Sequence, residues 1–386
     1  MVIFNMVGGG GQKKLKASVY GFKIDVYDKN PSTRVSYPSE IFGQPNGAAG
    51  IVTPASGTGE NCLGDWAGCN LISGIHRELG NSTAGWTEVA DKRSAVVGDG
   101  ENDAMVYVPT WWIRMENDGD IITVGFSDTK IDGEWKDYAG SVGTERLGHF
   151  RVGCYAAYNL SSKLYSRGSV APTVNISITN FISYAKARGT GYDIMTWYQW
   201  TYLTALAVLL YKSTDLQTAM ARGYVDGNAV QVESPITYYN DYGMAGSTSS
   251  TDRMAFFWIQ NLWGNINQTV GGAKTDSSRR LMTCTGYSSV KDSDFDKTAL
   301  TAALSSNLSG YLYKVTGTTD TGFFPNQSGG SATTYFADRG AVINSAFPSV
   351  GGSYNDGYNA GPFNENFNNS ATDSSAFVGS RLSYRL

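Results

Sequence analysis

Gly351-Gly352-Ser353-Tyr354-Asn355-Asp356-Gly357-Tyr358-Asn359-Ala360-Gly361-Pro362-Phe363 opens the most telling stretch of this 386-residue chain, and Val378-Gly379-Ser380-Arg381-Leu382 closes it. Between Ser353 and Phe377 there is no Lys, Arg, Trp, Met, Leu, Ile or Val; Asn, Ser, Tyr, Phe, Ala, Asp and Gly dominate. Tyrosine gives a large contact area at low entropy cost, and Ser, Gly and Asn give adaptable hydrogen bonding, so this is the palette of an antibody-like paratope. Composition alone favours a plainer reading, a polar Asn-rich surface loop. A genetic regularity weighs against it. Every residue of the segment except Glu365 can be reached from an Asn codon by changing only its adenines.

The Gly351–Phe363 run and its Val378–Leu382 closure together resemble the variable region of diversity-generating retroelement target proteins. These are phage or bacterial surface proteins with a C-type lectin fold of the formylglycine-generating-enzyme-like type. In that family an error-prone reverse transcriptase mutates template adenines, which turns Asn codons into Tyr, Ser, Asp, Phe and Ala codons. Glu365 departs from the pattern, because it needs a different starting codon. Upstream, Leu164-Tyr165-Ser166, Pro172-Thr173-Val174-Asn175-Ile176 and Gly189-Thr190-Gly191-Tyr192-Asp193 resemble segments that flank the first helix of such proteins. Asn261-Leu262-Trp263-Gly264-Asn265 is similar to the family's Trp-Gly-Asn core motif, but Ile266-Asn267-Gln268-Thr269 replaces the usual acidic and tryptophan continuation, so no metal is expected there. The resemblance covers residues 100–386 and, more loosely, the N-terminal quarter.

Composition agrees with a folded, loop-rich, β-containing interaction protein. Charged residues make up 17%, below the ~25% usual for globular chains. Aromatics reach 13% with 24 Tyr and 9 Trp, there are 46 Gly, and a hydrophobic content of 41% excludes disorder. A net charge of −4 without a basic block argues against nucleic acid as a partner. Cys62 and Cys69 bracket Trp66 and pair only if a tight loop joins them; Cys154, in Val152–Ala156, reads as part of a buried strand, Cys284 stands alone, and free thiols are expected. With two histidines, His76 and His149, and no CxxC, neither a zinc site nor any other cofactor is expected. The start Met1-Val2-Ile3-Phe4-Asn5-Met6 lacks the basic leader of a secretory signal. The uncharged run Ile194 to Tyr211 carries Thr196, Gln199, Thr201 and Thr204, which favours a core helix over membrane insertion.

Residues 1–17 read as a tail-attachment or oligomerisation peptide, 18–100 as a small β-rich N-terminal region and linker, and 101–386 as the main domain, with its variable region at about 335–377. Val19 to Val26 alternates as a strand. From Met105 to Phe126 the pattern predicts a hairpin, with Val106-Tyr107-Val108 and Trp111–Met115 leading to an Asn117-Asp118-Gly119-Asp120 turn and Ile121–Phe126. Thr179 is placed to cap a helix over Asn180–Arg188 that Gly189 ends. Asp193 or Thr196 is placed to start a longer helix reaching Lys212, with Trp197, Trp200, Leu203, Leu206, Leu210 and Tyr211 inward. Asp292-Ser293-Asp294-Phe295-Asp296 begins like an EF-hand, but Lys297 and Ala303 occupy the demanded glycine and glutamate, so it reads as a solvated turn before a helix near Thr298. No P-loop lysine follows the glycine runs, and no usable nucleophile elbow occurs. The fold's enzymatic relatives use a cysteine pair in the C-terminal part of the domain; here only Cys284 follows Cys154, which speaks against an enzyme.

The expected class is therefore α+β: a C-type lectin-like (formylglycine-generating-enzyme-like) C-terminal domain with a small β-rich N-terminal region. The resemblance implies a phage tail receptor-binding protein, carried on the virion tail and made in the host cytoplasm. Its partners would be a host bacterial surface protein or glycan and, through the N-terminus, other phage tail proteins; the family's tropism determinants are trimers, so a homotrimer is implied. The expected ligand contacts are Ser353, Tyr354, Asn355, Asp356, Tyr358, Asn359, Phe363, Asn364, Glu365, Asn366, Asn368, Asn369, Thr372, Asp373, Ser374 and Phe377, with Tyr354, Tyr358, Phe363 and Phe377 as anchors. Arg381 and Leu382 read as scaffold, and Phe367 as a candidate core residue. The alternatives are a structural fibre or baseplate subunit whose C-terminal loop is merely polar, and a bacterial surface-displayed ligand-binding protein of the same fold.

Overall fold

Period-two alternation shapes the first sheet. In Val19–Asp25, Phe22 and Ile24 are buried while Lys23 and Asp25 lie towards solvent. This strand pairs antiparallel along its whole length with Ile121–Ser127, which pairs in turn with Trp112–Asn117. The computed structural model describes residues 18–38, 63–237, 240–295, 299–300 and 302–386. The 1–17 peptide, the glycines of 50–59, Cys62 with its pairing to Cys69, and Thr298 lie outside the described residues; Ala299 and Leu300 are not helical. The expected turn is present. Asp118 Oδ1 accepts from the backbone N–H groups of Asp120 (3.1 Å) and Ile121 (2.8 Å), which commits that carboxylate to the turn.

A second, six-stranded antiparallel sheet has the order Tyr192–Ile194, Leu382–Tyr384, His149–Gly153, Asp103–Pro109, His76–Asn81, Gly85–Glu88. Val106-Tyr107-Val108 belongs here, paired with His76–Asn81 and His149–Gly153, and not to the hairpin that follows it. Strands from both sides of residue 100 thus share both sheets. The third sheet has seven strands in the order Pro325–Ser328, Leu308–Val315, Arg339–Val342, Gly361–Asn369, Phe347–Gly351, Asn267–Thr269, Val378–Ser380. The chain is mostly β-sheet with few helices.

Helix Ile178–Lys186 is capped by Ser177, whose hydroxyl accepts from the Asn180 N–H (3.3 Å). Thr179, the expected cap, instead donates its hydroxyl to the Ala371 carbonyl (2.8 Å). The longer helix runs Trp197–Tyr211 and ends at Lys212 in the left-handed region. All fifteen of its residues are buried, where the spacing predicts one inward face. A helix covered on every side belongs inside a core, and this one runs through the largest hydrophobic cluster. Among the described residues, no helix is long and apolar enough to cross a membrane.

The chain steps directly from one large sheet into the other at one residue. Val378–Ser380 is an edge strand of the seven-stranded sheet, Leu382–Tyr384 lies inside the six-stranded one, and Arg381 is the step between them. Its fully buried guanidinium donates to Gln268 Oε1 (2.7 Å) and to the carbonyls of Gly153 (2.9 Å), Gln260 (2.8 Å) and Asn261 (3.0 Å). Burial brings its pKa down to about 10, so it stays cationic at neutral pH, opposed by the buried Glu233. That carboxylate accepts from the Ala156 N–H (2.6 Å) and the Asn261 amide (3.0 Å). Lysine keeps the charge but cannot span acceptors in this forked arrangement. We therefore expect Arg381→Lys to cost about 3 kcal/mol or more in urea unfolding; a loss below about 1 kcal/mol would refute this role.

Candidate ligand-binding face

Gly361–Asn369, the longest strand described, lies in the seven-stranded sheet between Arg339–Val342 and Phe347–Gly351. Successive side chains of a strand point to opposite faces, and this one divides accordingly. Phe363, Glu365 and Phe367 go into the core. Phe363 packs edge-on against Phe323 and Phe336 (centroids 5.4 and 4.8 Å), and Phe367 against Trp197 and Phe324 (5.2 and 4.9 Å). Of the opposite row, Asn364 is buried, Asn366 half-buried and Asn368 exposed.

Four expected contacts are thereby corrected. Phe363 and Glu365 are core residues on the inward row. Asn364 lies beneath the preceding loop, its amide donating to the Asn359 carbonyl (2.7 Å). Ser353 is buried, with its N–H and hydroxyl both donating to Asp356 Oδ2 (2.6 and 2.8 Å).

The other twelve reach the surface in varying degree. Tyr354 and Phe377, from loops on either side of the strand, meet with ring centroids 5.6 Å apart. Tyr358 is 56% exposed, and the Arg222 guanidinium lies 3.7 Å from its ring centroid. Asn355, Thr372, Asp373 and Ser374 are exposed; Asp356 and Asn359 are half-buried. Asn369, also half-buried, donates to Ser349 Oγ (3.2 Å) and Asn368 Oδ1 (3.1 Å). The Ser370 backbone N–H, 2.7 Å from Asp373 Oδ2, holds that carboxyl below the usual carboxylate range.

Fixed backbone bonds place these loops. In the Asn261–Asn265 motif both asparagines adopt positive φ, which Asn tolerates better than other non-glycine residues. The turn gives the Gly264 N–H to the Gly351 carbonyl (3.2 Å) and takes the Tyr354 N–H on the Asn265 carbonyl (3.1 Å). Asn267 then clamps both loops. Its side chain accepts from the Gly352 N–H (3.1 Å) and donates to Asp356 Oδ2 (3.2 Å), while its backbone N–H donates to the Phe377 carbonyl (2.8 Å). Gly352 is needed here, because at φ +76° a Cβ would sit 2.5 Å from the Ala360 Cβ.

Sequence reasoning missed Arg222 and Asp226, which form an ion pair (3.2 Å) beside Tyr358. Nothing local marks them, since their place is set by contacts between residues far apart in the chain, such as the Gly357 N–H on the Val225 carbonyl (2.9 Å). Among the described residues, no group of three or more His, Cys, Asp or Glu side chains is arranged to hold a metal. Cys154 and Cys284 are buried free thiols, and burial pushes each up to about 12.

Glu365 is an unusual core residue. Neither carboxyl oxygen has a well-formed hydrogen bond among the described residues. Burial drives its pKa well above the usual carboxylate range; the Trp200 indole nitrogen offsets part of this and the nearby Asp338 adds to it. Asp338, also buried and also raised by burial, accepts from the Phe363 N–H (2.8 Å) and the Gln217 amide (3.2 Å).

No protein-family model and no curated protein sequence matches the chain. Among solved structures it is similar to the Major Tropism Determinant P3c variant, at 9% identity and a TM-score of 0.30, over 94% of this chain and 82% of that one. It is also similar to the Major Tropism Determinant U1 variant, at 10% identity and a TM-score of 0.25, over 79% of this chain and 90% of that one. A likeness this weak leaves the functional reading to the site itself.

Two outcomes test this division of the segment. Phe363→Ala should cost about 3–5 kcal/mol in chemical denaturation, and Tyr358→Ala under about 1 kcal/mol; equal costs would erase the distinction between core and face. For Glu365 the folded pKa lies above the unfolded one, so the unfolded chain loses this proton first as pH rises. Stability therefore falls with rising pH from about 4.3, the unfolded value, up to the folded pKa. Glu365→Gln should flatten that decline between pH 5 and 8 and raise the melting temperature at pH 8, which scanning calorimetry across pH would detect.

Proposed function

We propose that this chain is a phage tail receptor-binding protein, an adhesin that holds a host bacterial surface protein or glycan on a C-type lectin-like, retroelement-diversified face. The carrying observation is the Tyr354–Phe377 contact, which joins into one aromatic platform the two surface loops that precede and follow a strand whose inward residues are core. Loops carried on a rigid scaffold can vary without unfolding it. Tyr354, Tyr358 and Phe377 are the anchors, and Asn355, Asp356, Asn366, Asn368, Thr372, Asp373 and Ser374 orient the ligand. Glu365 fits as well: the residue outside the adenine pattern is a core residue and no part of the face. Asp356 and Asp373 lie on this face, and the nearby cation Arg222 is already paired with Asp226, so a neutral or basic epitope suits it better than a polyanion. The protein acts as a binder and not as an enzyme. Attachment to other tail proteins through residues 1–17, and homotrimeric assembly, would raise avidity over weak single sites.

The test is binding of the purified chain to a panel of bacterial cells, beside a variant carrying Tyr354→Ala, Tyr358→Ala and Phe377→Ala. We expect at least one strain to bind the parent and to lose the variant by tenfold or more, with unchanged circular dichroism. Binding that survives the triple change would place adhesion elsewhere. Absence of binding to every strain would favour a structural tail subunit.

A further inference from the structure

A cleft of about 560 Å³ lies apart from this face, and no residue between Ser353 and Phe377 lines it. Its floor is Tyr198, a buried residue whose hydroxyl donates to the Asp320 carbonyl (2.7 Å) and lies 3.0 Å from the Thr283 hydroxyl. The Tyr138 ring lies against it, with centroids 4.5 Å apart and planes at 37°, and its hydroxyl donates to Asp320 Oδ1 (2.6 Å). These bonds fix one wall before any ligand arrives. Tyr287 contributes another; its ring is exposed and its hydroxyl is tied to the Asp294 carbonyl (3.1 Å). Glu134 and Lys136 also line it, and neither side chain has an ion-pair or hydrogen-bond partner among the described residues.

The chemistry of this lining is selective. Carboxylates only accept hydrogen bonds, an ammonium only donates them, and hydroxyls do both. An anion entering here meets three carboxylates, Glu134, Asp294 and Asp320, against the single ammonium of Lys136, so the lining disfavours anions. A ring bearing several hydroxyls, neutral or with one amino group, satisfies acceptors and donor alike, and its C–H faces pack on the tyrosine rings. The cleft has the size of small-molecule sites with a mainly polar lining, and its pre-ordered walls lower the entropy lost on binding. We propose that it is a saccharide subsite for a neutral or amino sugar unit, separate from the face formed by residues 353–377. This assignment rests on the cleft alone and not on the receptor-binding reading.

Saturation-transfer NMR and calorimetry on the full chain would test it, using glucose, galactose, mannose and N-acetylglucosamine at millimolar concentration. Glucosamine and glucuronate serve as cationic and anionic counterparts. We expect at least one neutral sugar or glucosamine to bind and to be weakened tenfold or more by Tyr287→Ala and by Lys136→Ala, with circular dichroism confirming that both variants are folded. Three outcomes would overturn the proposal: neither a neutral sugar nor glucosamine binds; glucuronate binds more tightly than all of them; or the bound sugar ignores both substitutions.

Discussion

Everything in this molecule hangs on a buried cation at a crossing point. The chain leaves one sheet and enters another at Arg381, and a planar fork of donors fits the acceptors converging there. Those acceptors belong to the six-stranded sheet (Gly153), to the seven-stranded sheet (Gln268) and to Gln260 and Asn261, where the Asn261–Asn265 turn begins, so one side chain sets how three elements meet. The Arg381 carbonyl also accepts from the Met195 N–H (2.8 Å), just before the long helix, which adds a fourth. Because Val378 follows Phe377 directly, the far end of the variable segment is fixed by the same junction. The near end is fixed by the Gly351 and Tyr354 bonds to that turn. The segment is a span between two rigid abutments.

Much of this was legible in the sequence, where the signal is local. The Asn117–Asp120 turn, the bounds of the Trp197–Tyr211 helix, the buried Cys154, and the surface character of Tyr354, Tyr358 and Phe377 follow from residue type and short spacing. What failed depends on partners far along the chain. Phe363 and Tyr358 are both aromatic and five residues apart; only the register of Gly361–Asn369 within its sheet decides which is core. Ser177 and Thr179 are both good caps, and Thr179 lost that role because Ala371 offers it an acceptor. Trp197–Tyr211 has polar residues at several positions, yet all are covered, because sheets and loops close around it on every side.

The buried carboxylates Glu365 and Asp338 run against the usual economy of a core, where charge is paired or absent. Glu365 lies opposite Gly340 in the parallel register with Arg339–Val342, and Asp338 immediately precedes that strand. Their preference for the neutral form links the integrity of that strand to proton concentration. Between them these two carboxyls favour the folded sheet more in mild acid than at higher pH.

The contact between Tyr354 and Phe377 also limits how this surface can change. Each ring is part of the other's surroundings, so replacing one alters the shape that the second presents. Substitutions in the two loops should then combine with strong epistasis, and the best partner at one position depends on the residue at the other. A lineage searching for new specificities would explore pairs of loops and not a free product of positions, which narrows its usable repertoire while keeping each member well formed.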